Sequence, residues 1–259
     1  MIKMLPVVVL SLILLMVVFA PFITRYDPLR IDLDNVRATP SLEHPFGTDA
    51  KGRDIFSRVL YGGRVSLGVS FIASMLSFVI GFSVGLVAGW YRQWLDTVLM
   101  ALVDLTLAFP SLLLSIGISI LMPPNSYSTV IAISVVGWAA FARLIRGQAL
   151  LIKNMVYIDA AKALGMGDLR ILTFHVFPQC FSLGAVMMGL KFGSYILTEA
   201  SLSFLGLGTQ PPVPSWGNMI NEYRTYILSE PWMVVAPGIA IAFSVFCFNL
   251  IGDGYDKKH

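Results

Sequence analysis

Charged residues are scarce in this chain. Of its 259 residues only 13% are Asp, Glu, Lys or Arg, whereas 56% are hydrophobic, and the mean hydropathy is +0.77. A soluble domain usually carries about 25% charged residues, so the composition excludes an ordinary water-soluble domain. The net charge of +3 comes from basic residues that are scattered or lie beside apolar runs. That distribution fits lipid headgroups and excludes nucleic-acid binding.

Cysteine and histidine are equally rare. The two cysteines, Cys180 and Cys247, lie in or beside apolar runs, and the three histidines are far apart in the sequence. This spacing supports neither a disulfide framework nor a metal site. The chain also lacks an HExxH motif, which argues against an intramembrane metalloenzyme. We therefore predict a non-catalytic protein that binds no metal.

The chain is rich instead in long apolar runs. They reach the roughly 20 residues that a helix needs to cross about 30 Å of hydrocarbon, and none alternates as an outer-membrane strand does. The sequence therefore predicts an all-α membrane protein with six transmembrane helices and both termini on one side. The predicted spans are 4–22, 66–90, 98–121, 129–149, 183–205 and 232–251.

The first run has the alternative of being a signal peptide. It is longer than the usual apolar region of about 7–15 residues, and Pro21 follows the best cleavage point at Ala20. We predict a retained helix. Pro110 and Pro237 should bend the third and sixth spans. Lys and Arg are almost equally divided between the two sides, so charge favours cytoplasmic termini only slightly.

Two polar segments are predicted on the outer side. In residues 23–65 an Asp or Thr should cap a short amphipathic helix, either as interfacial packing or as a ligand contact. Near Ser215 a second helix should begin, either as a structural lid or as a surface that receives substrate from a partner. The residues with helical apolar spacing are Ile55, Phe56, Val59 and Leu60 in the first, and Trp216, Met219, Ile220, Tyr223, Tyr226 and Ile227 in the second.

A third polar stretch, "DAAKALGMGDLRILTFHVFP", separates the fourth and fifth spans. Its first part has helical spacing, Gly165 and Gly167 should end that helix, and Asp168 should cap a second one. A helix of about ten residues is too short to be stable alone in water, so it must dock. Its small side chains allow close approach either to its own bundle or to a partner.

The same stretch resembles the EAA loop of ABC importer membrane subunits. Asp159, Ala160 and Ala161 are followed after three residues by Gly165 and after nine more by "HVFP". Asp159 stands where the motif has Glu, His175 where it has Ile, and Phe177 where it has Leu. The stretches "FGTDAKGRDIFSRVLYGGRVSLG", "LVDLTLAFPSLLL" and "LTEASLSFLGLGTQPPVPSWGNMI" are similar to the dipeptide, oligopeptide and nickel branch of that family.

The resemblance implies a type I ABC importer permease fold in a prokaryotic inner membrane. It implies a second homologous permease subunit, two cytoplasmic ATPase subunits and an extracytoplasmic solute-binding protein as partners. ATP and Mg would be bound by the ATPases alone, and the chain itself has no Walker A motif. The loop would be the coupling helix that contacts the ATPase, through Tyr157, Asp159, Ala160, Ala161, Leu164, Gly165 and Asp168.

The resemblance also implies a segment order. Residues 1–65 would form the first transmembrane helix and an extracytoplasmic segment. Residues 66–253 would form a five-helix permease core with the coupling loop at about 153–178, and 254–259 a cytoplasmic tail.

The spans themselves contain two further patterns. Glycines repeat every four residues in the second and fifth spans, at the spacing that lets helices approach closely in lipid; these are Gly81, Gly85, Gly89, Gly189 and Gly193. The fifth span also carries a polar stripe, which we interpret either as the lining of a translocation path or as hydrogen bonding between helices. Its members are Lys191, Ser194, Tyr195, Thr198, Glu199 and Ser201.

The sequence is compatible with three interpretations of the transport function. A peptide importer is our first interpretation, and a nickel or metal-chelate permease of the same family is the alternative. A self-contained channel or ion-coupled carrier is the third, because Asp104, Lys191 and Glu199 are ionisable groups within predicted spans. Such a carrier would transport when reconstituted alone, whereas a permease subunit would not.

Overall fold

The computed structural model describes the backbone of residues 5–91 and 94–256, and the side chains of residues 6–91 and 94–251. Within these ranges the chain is helical, and only an isolated bridge between Thr48 and Asp54 has β geometry. Residue 4 of the first predicted span and residues 257–259 of the predicted tail lie outside the described part. The helices are α1 (Leu5–Val18), α2 (Ala20–Ile23), α3 (Ile55–Tyr91), α4 (Trp94–Leu107), α5 (Ser111–Ile120), α6 (Ser126–Lys153), α7 (Val156–Ala163), α8 (Asp168–Ile171), α9 (Phe177–Phe204), α10 (Trp216–Tyr223) and α11 (Trp232–Asp256).

Four segments of the described chain are long and apolar enough to cross a membrane. They are Ile55–Tyr91, Ser126–Lys153, Asp168–Phe204 and Trp232–Ile251. A fifth crossing results if α4 and α5, which meet at 89°, form one broken span. The predicted all-α membrane fold is confirmed, but the predicted count of six crossings is not. Among the described residues, the first predicted span is the one that lacks a helix of spanning length, because α1 has 14 residues and is therefore about 21 Å long.

Proline explains both interruptions. Pro21 lies at the start of α2, where its ring and its missing N–H prevent α1 from continuing. Pro110 precedes α5, and the Leu114 N–H donates to its carbonyl oxygen at 3.0 Å. The bend predicted in the third span is thus a complete break. Pro237, in contrast, lies inside α11.

The described residues divide into two compact units. Within the described part, the first comprises residues 5–72, 116–132 and 192–256, and the second comprises 73–91, 94–115 and 133–191. The predicted boundaries at residues 65 and 253 concern membrane topology and stay a prediction.

The core of the first unit surrounds α10. Trp216 is buried, and its indole Nε1 donates to the Val59 carbonyl oxygen at 2.9 Å. Ser215 caps the helix in a capping box with Asn218, so the prediction of a helix beginning near Ser215 is confirmed. The apolar face is shorter than predicted, because α10 ends at Tyr223 and Ile227 is exposed.

Residues 55–60 do not form a separate amphipathic helix, contrary to the prediction. They are the first turns of α3, which continues without interruption to Tyr91. The predicted acidic cap is present, since the Asp54 carboxylate accepts from the Ser57 N–H at 2.7 Å. The apolar residues at this end pack against Met219, Tyr223 and Met233. Because these apolar residues are buried against α10 and α11, the long helix α3 begins directly after the polar loop.

Glycine determines how α3 packs in the second unit. A Cβ on Gly81 would lie 2.6 Å from the Phe141 Cβ, one on Gly85 2.5 Å from the Ala142 carbonyl oxygen, and one on Gly89 2.6 Å from the Ala149 Cβ. All three therefore face α6 at a distance that no larger residue allows. In the first unit Gly193 faces Val245 and Asn249. A Cβ on Gly189 would meet no atom within 4 Å, so Gly189 makes no such approach among the described residues.

Candidate functional site

Helix α7 ends in a Schellman motif. Gly165 has φ +80°, its N–H donates to the Lys162 carbonyl oxygen at 2.9 Å, and the Met166 N–H donates to the Ala161 carbonyl oxygen at 3.0 Å. Glycine adopts this left-handed conformation without the steric cost that a Cβ imposes. Gly165 therefore fixes the direction in which the chain leaves α7.

The turn leads into α8, whose N-cap is Gly167 and not Asp168 as predicted. Gly167 has extended backbone geometry and no side-chain cap bond, and Asp168 is the first residue of α8. A carboxylate in the first turn still interacts favourably with the helix dipole. A π-helical segment, Leu172–Val176, then joins α8 to α9.

Most of α7 is exposed. Among its residues only Ile158 and Ala161 are buried, so the predicted face of Tyr157, Ala160, Ala161 and Leu164 does not pack as one surface. Leu164 is 87% exposed, and the exposed apolar side chains continue beyond it to Leu169 and Phe174. Such an apolar patch on a polar loop is typical of a protein interaction site.

Polar contacts connect α7 to its surroundings in the second unit. The Gln179 Nε2 donates to the Tyr157 hydroxyl oxygen at 2.9 Å, and the Tyr157 ring lies 6.1 Å from the His175 ring. Asp159 and Lys162 are 4.0 Å apart, and because both are exposed this ion pair contributes little.

The predicted stripe on α9 separates into exposed and buried members. Lys191 and Ser194 are exposed, while Thr198 and Ser201 are partly exposed. The Thr198 hydroxyl donates to the Ser194 carbonyl oxygen at 2.9 Å, and the Ser201 hydroxyl donates to the Leu197 carbonyl oxygen at 2.7 Å. The surface of α9 therefore carries small hydroxyl groups that already donate hydrogen bonds within their own helix.

Tyr195 and Glu199 are buried within the first unit. The Ser203 hydroxyl donates to Glu199 Oε1 at 2.8 Å, and the Ser203 oxygen accepts from the Thr209 N–H at 3.4 Å. The bond between Ser203 and Glu199 lies within α9 and connects its end to the following turn, so both interpretations of the stripe stay predictions.

A buried charge cluster in the first unit was not predicted. Glu222 accepts from the Arg53 guanidinium and from Arg58 Nη2 at 3.1 Å. Asp49 accepts from Arg53 Nε at 2.6 Å and from the Tyr223 hydroxyl at 3.0 Å. The cluster fastens the loop before α3 to α10. We name these five residues the Glu222 cluster.

Electrostatics favour a charged Arg53 and a protonated Tyr223 within the Glu222 cluster. Burial lowers the pKa of Arg53, but Asp49, Tyr223 and Glu222 together raise it more, so this pKa lies above its ordinary value. Burial raises the pKa of Tyr223 well above its ordinary value, against the opposing effect of Arg58. The Tyr223 hydroxyl therefore stays protonated and able to donate to Asp49.

Ion pairs join acidic residues in or beside the third predicted span to arginines of the fourth. In the second unit Asp104 accepts from Arg143, and Asp96 accepts from Arg146 Nη2 at 2.6 Å. Among the described residues, no group of three or more His, Cys, Asp and Glu side chains lies close enough to hold a metal ion.

Comparison with known proteins gives consistent results. The model of the family "binding-protein-dependent transport system inner membrane component" matches residues 81–258. The dipeptide transport system permease protein DppC of Alkalihalophilus pseudofirmus is 41% identical, over 95% of this chain and 81% of its own. The glutathione transport system permease protein GsiD of Pectobacterium atrosepticum is 40% identical, over 94% and 81%.

Solved structures share the fold at low sequence identity. An inward-facing structure of the MetNI methionine ABC transporter has a TM-score of 0.65 at 17% identity, covering 79% of this chain and 97% of its own. An amino acid ABC transporter with histidines has a TM-score of 0.60 at 14% identity, covering 79% and 95%. The family match extends over more than half of the chain, and curated relatives match almost all of it. This chain belongs to the family of binding-protein-dependent transport system inner membrane components, as a multi-pass permease subunit.

Proposed function

We propose that this chain is one of two permease subunits of an ATP-driven importer of small peptides in the inner membrane of a prokaryote. The relatives named for dipeptide and glutathione transport match it at about 40% identity over nearly its whole length. Both names denote short peptides or peptide-like solutes. A small peptide is therefore the cargo that the relatives support best.

The observation that carries the proposal is the exposed end of α7. Leu164, Leu169 and Phe174 are apolar and exposed beside a helix that has only two buried residues of its own, Ile158 and Ala161. An exposed apolar surface on a polar loop is typical of a protein interaction site, and a partner subunit would cover it. A cytoplasmic ATPase subunit is that partner, and the ATPases bind the ATP and Mg.

The translocation path would run beside the exposed stripe of α9. In the first unit an open groove of about 390 Å³ lies next to Ser201 and is lined by apolar residues including Leu197, Phe204 and Ile220. The second permease subunit would cover this groove and complete the path. A solute-binding protein on the outer side would supply the peptide and most of the selectivity.

Cysteine cross-linking tests the ATPase contact. Leu164→Cys places a reactive thiol at the end of α7, and the two native cysteines are buried and will compete little. With a thiol-to-amine cross-linker we expect a product between this chain and the ATPase subunit whose yield changes with ATP. Leu228→Cys is the control, because Leu228 is 96% exposed but belongs to the predicted outer side.

The same two variants test the orientation. A membrane-impermeant maleimide should label Leu228→Cys in intact cells and Leu164→Cys only after permeabilisation, as expected if both termini are cytoplasmic. The opposite labelling pattern, or no cross-link from Leu164→Cys, would refute the ATPase contact. Uptake of a radiolabelled dipeptide by the complete complex, and not by this chain alone, distinguishes an importer subunit from a self-contained carrier.

A further inference from the structure

Helix α7 contacts the ends of two long helices of the second unit. Near its start, the Tyr157 hydroxyl accepts a hydrogen bond from Gln179, which lies in the first turn of α9. Near its end, the Lys162 Nζ lies 5.8 Å from the centre of the Trp90 ring, in the last turn of α3. The helix therefore bridges the end of α3 and the beginning of α9.

Trp90 is contacted by two cations. Lys153, the last residue of α6, has its Nζ 5.3 Å from the centre of the Trp90 ring and also donates to the Trp90 carbonyl oxygen. That carbonyl lies at the C-terminal end of α3, where helix carbonyls lack partners within the helix. Trp90 is itself buried. Its ring is therefore held in place while Lys162 contacts it from α7.

The last turn of α3 is also firmly seated on α6. A Cβ on Gly89 would lie 2.6 Å from the Ala149 Cβ and 2.9 Å from the Arg146 carbonyl oxygen. Close packing of this kind makes two helices move together. A displacement of Trp90 would consequently be transmitted to both α3 and α6.

Few side chains of α7 pack against the rest of the second unit. All eight residues of α7 are described, and only Ile158 and Ala161 are buried. The ion pair between Asp159 and Lys162 is exposed and contributes little. A cation over a Trp face is the stronger contact, and Trp is the best aromatic partner for a cation. The contact between Lys162 and Trp90 is thus the main polar link from α7 to α3.

We propose that Trp90 and Lys162 are positioning residues that transmit the movement of α7 to α3. This inference rests on the proposed function, since α7 moves only if an ATPase drives it. When α7 is displaced, Lys162 carries the Trp90 ring with it, and α3 and α6 follow. Without this contact the ATPases still dock on α7 and hydrolyse ATP, but less of the movement reaches the permease.

The experiment measures peptide imported per ATP hydrolysed by the complete complex in proteoliposomes, with its binding protein and a labelled dipeptide. Trp90→Leu removes the ring and Lys162→Gln removes the cation. Lys162→Gln should lower this ratio about fivefold, as expected for loss of a partly desolvated cation–π contact. Trp90→Leu should lower it at least as much, because it also removes the contact with Lys153. Trp90→Phe and Lys162→Arg retain a ring and a cation, and should stay within about twofold of the parent protein.

Two further measurements separate transmission from assembly. The cross-link from Leu164→Cys should persist in both Trp90→Leu and Lys162→Gln, and the double variant should lose no more than Trp90→Leu alone. Trp94→Leu is the matched control, because Trp94 is 68% exposed on α4, and its ratio should not change.

Three results would overturn the inference. They are an unchanged ratio in both single variants, additive losses in the double variant, or loss of the cross-link together with uptake. If the parent protein gives no cross-link from Leu164→Cys at all, the proposed function fails first and the inference fails with it.

Discussion

Replacing Glu222 with Ala tests the importance of the Glu222 cluster. The side chains of Arg53 and Arg58 are 4% and 1% exposed, so the substitution leaves two guanidinium groups buried with one acceptor fewer. Removing one partner of a buried ion pair costs about 3–5 kcal/mol. Asp49 still accepts from Arg53, and the Glu222 side chain is 22% exposed. Water can therefore hydrate the guanidinium groups in place of Glu222, which lowers the energetic cost of the substitution. We expect a destabilisation of about 2–3 kcal/mol.

Thermal unfolding of the protein purified in detergent is the assay. A change of 1 kcal/mol shifts the Tm by roughly 2–4 °C for a chain of this size. The expected decrease for Glu222→Ala is therefore about 4–12 °C. Glu222→Gln keeps a hydrogen-bond acceptor but removes the charge, and its Tm should fall between those of the parent protein and the Ala variant.

Arg37→Gln is the control for a surface ion pair. Arg37 lies 3.7 Å from Glu230, and its side chain is 51% exposed. The Glu230 side chain is only 14% exposed, but the half-exposed Arg37 guanidinium is hydrated and the pair is worth about 1 kcal/mol or less, so the Tm should change by no more than a few degrees. Equal decreases for Glu222→Ala and Arg37→Gln would refute the reasoning, because burial would then not determine the cost.

Three further predictions concern packing, pH and transport. Gly85→Leu should abolish stable expression because a Cβ there would lie 2.5 Å from a carbonyl oxygen of α6, whereas Gly68→Ala, with no atom within 4 Å of the added Cβ, should be tolerated. The free energy of unfolding should fall as the pH rises above about 10. Tyr223 ionises in the unfolded state at that pH, whereas burial keeps it protonated in the folded state. Denaturant unfolding at several pH values should show a smaller fall in this free energy for Tyr223→Phe than for the parent protein. Thr198→Leu should lower dipeptide uptake about tenfold without loss of assembly by adding bulk to the proposed path, whereas Thr106→Leu, which replaces another exposed Thr bonded to its own helix, should not.

The predictions of local structure were the most successful. The cap at Ser215 and the helix end at Gly165 were read correctly because each depends on residues only a few positions apart. The predicted start of the fifth span at residue 183 lies inside α9, which begins at Phe177 and has Pro178 in its first turn. In the structure the Phe177 N–H donates to the Leu172 carbonyl oxygen in a π turn. A wider turn of this kind relieves the crowding that a proline otherwise causes.

Long-range contacts could not be predicted from the sequence. The Arg58 and Glu222 side chains are hydrogen-bonded across 164 positions, and no period or motif connects them. The bridge between α7 and Trp90 is of the same kind, since Lys162 and Trp90 look unremarkable in their own segments. The exposure of Leu164 could not be foreseen either, because its spacing fits equally well with packing on the bundle.

The Glu222 cluster has a consequence for the order in which the protein matures. Tyr223 donates to Asp49 across 174 positions of the chain. At a translation rate of about 5–20 residues per second, roughly 9–35 s separate the synthesis of the two residues. During that interval Asp49, Arg53 and Arg58 have been synthesised while Glu222 has not. The ion pair between Arg53 and Asp49 can form within the loop before α3, but both arginines must wait for Glu222, so the last third of the chain completes the cluster.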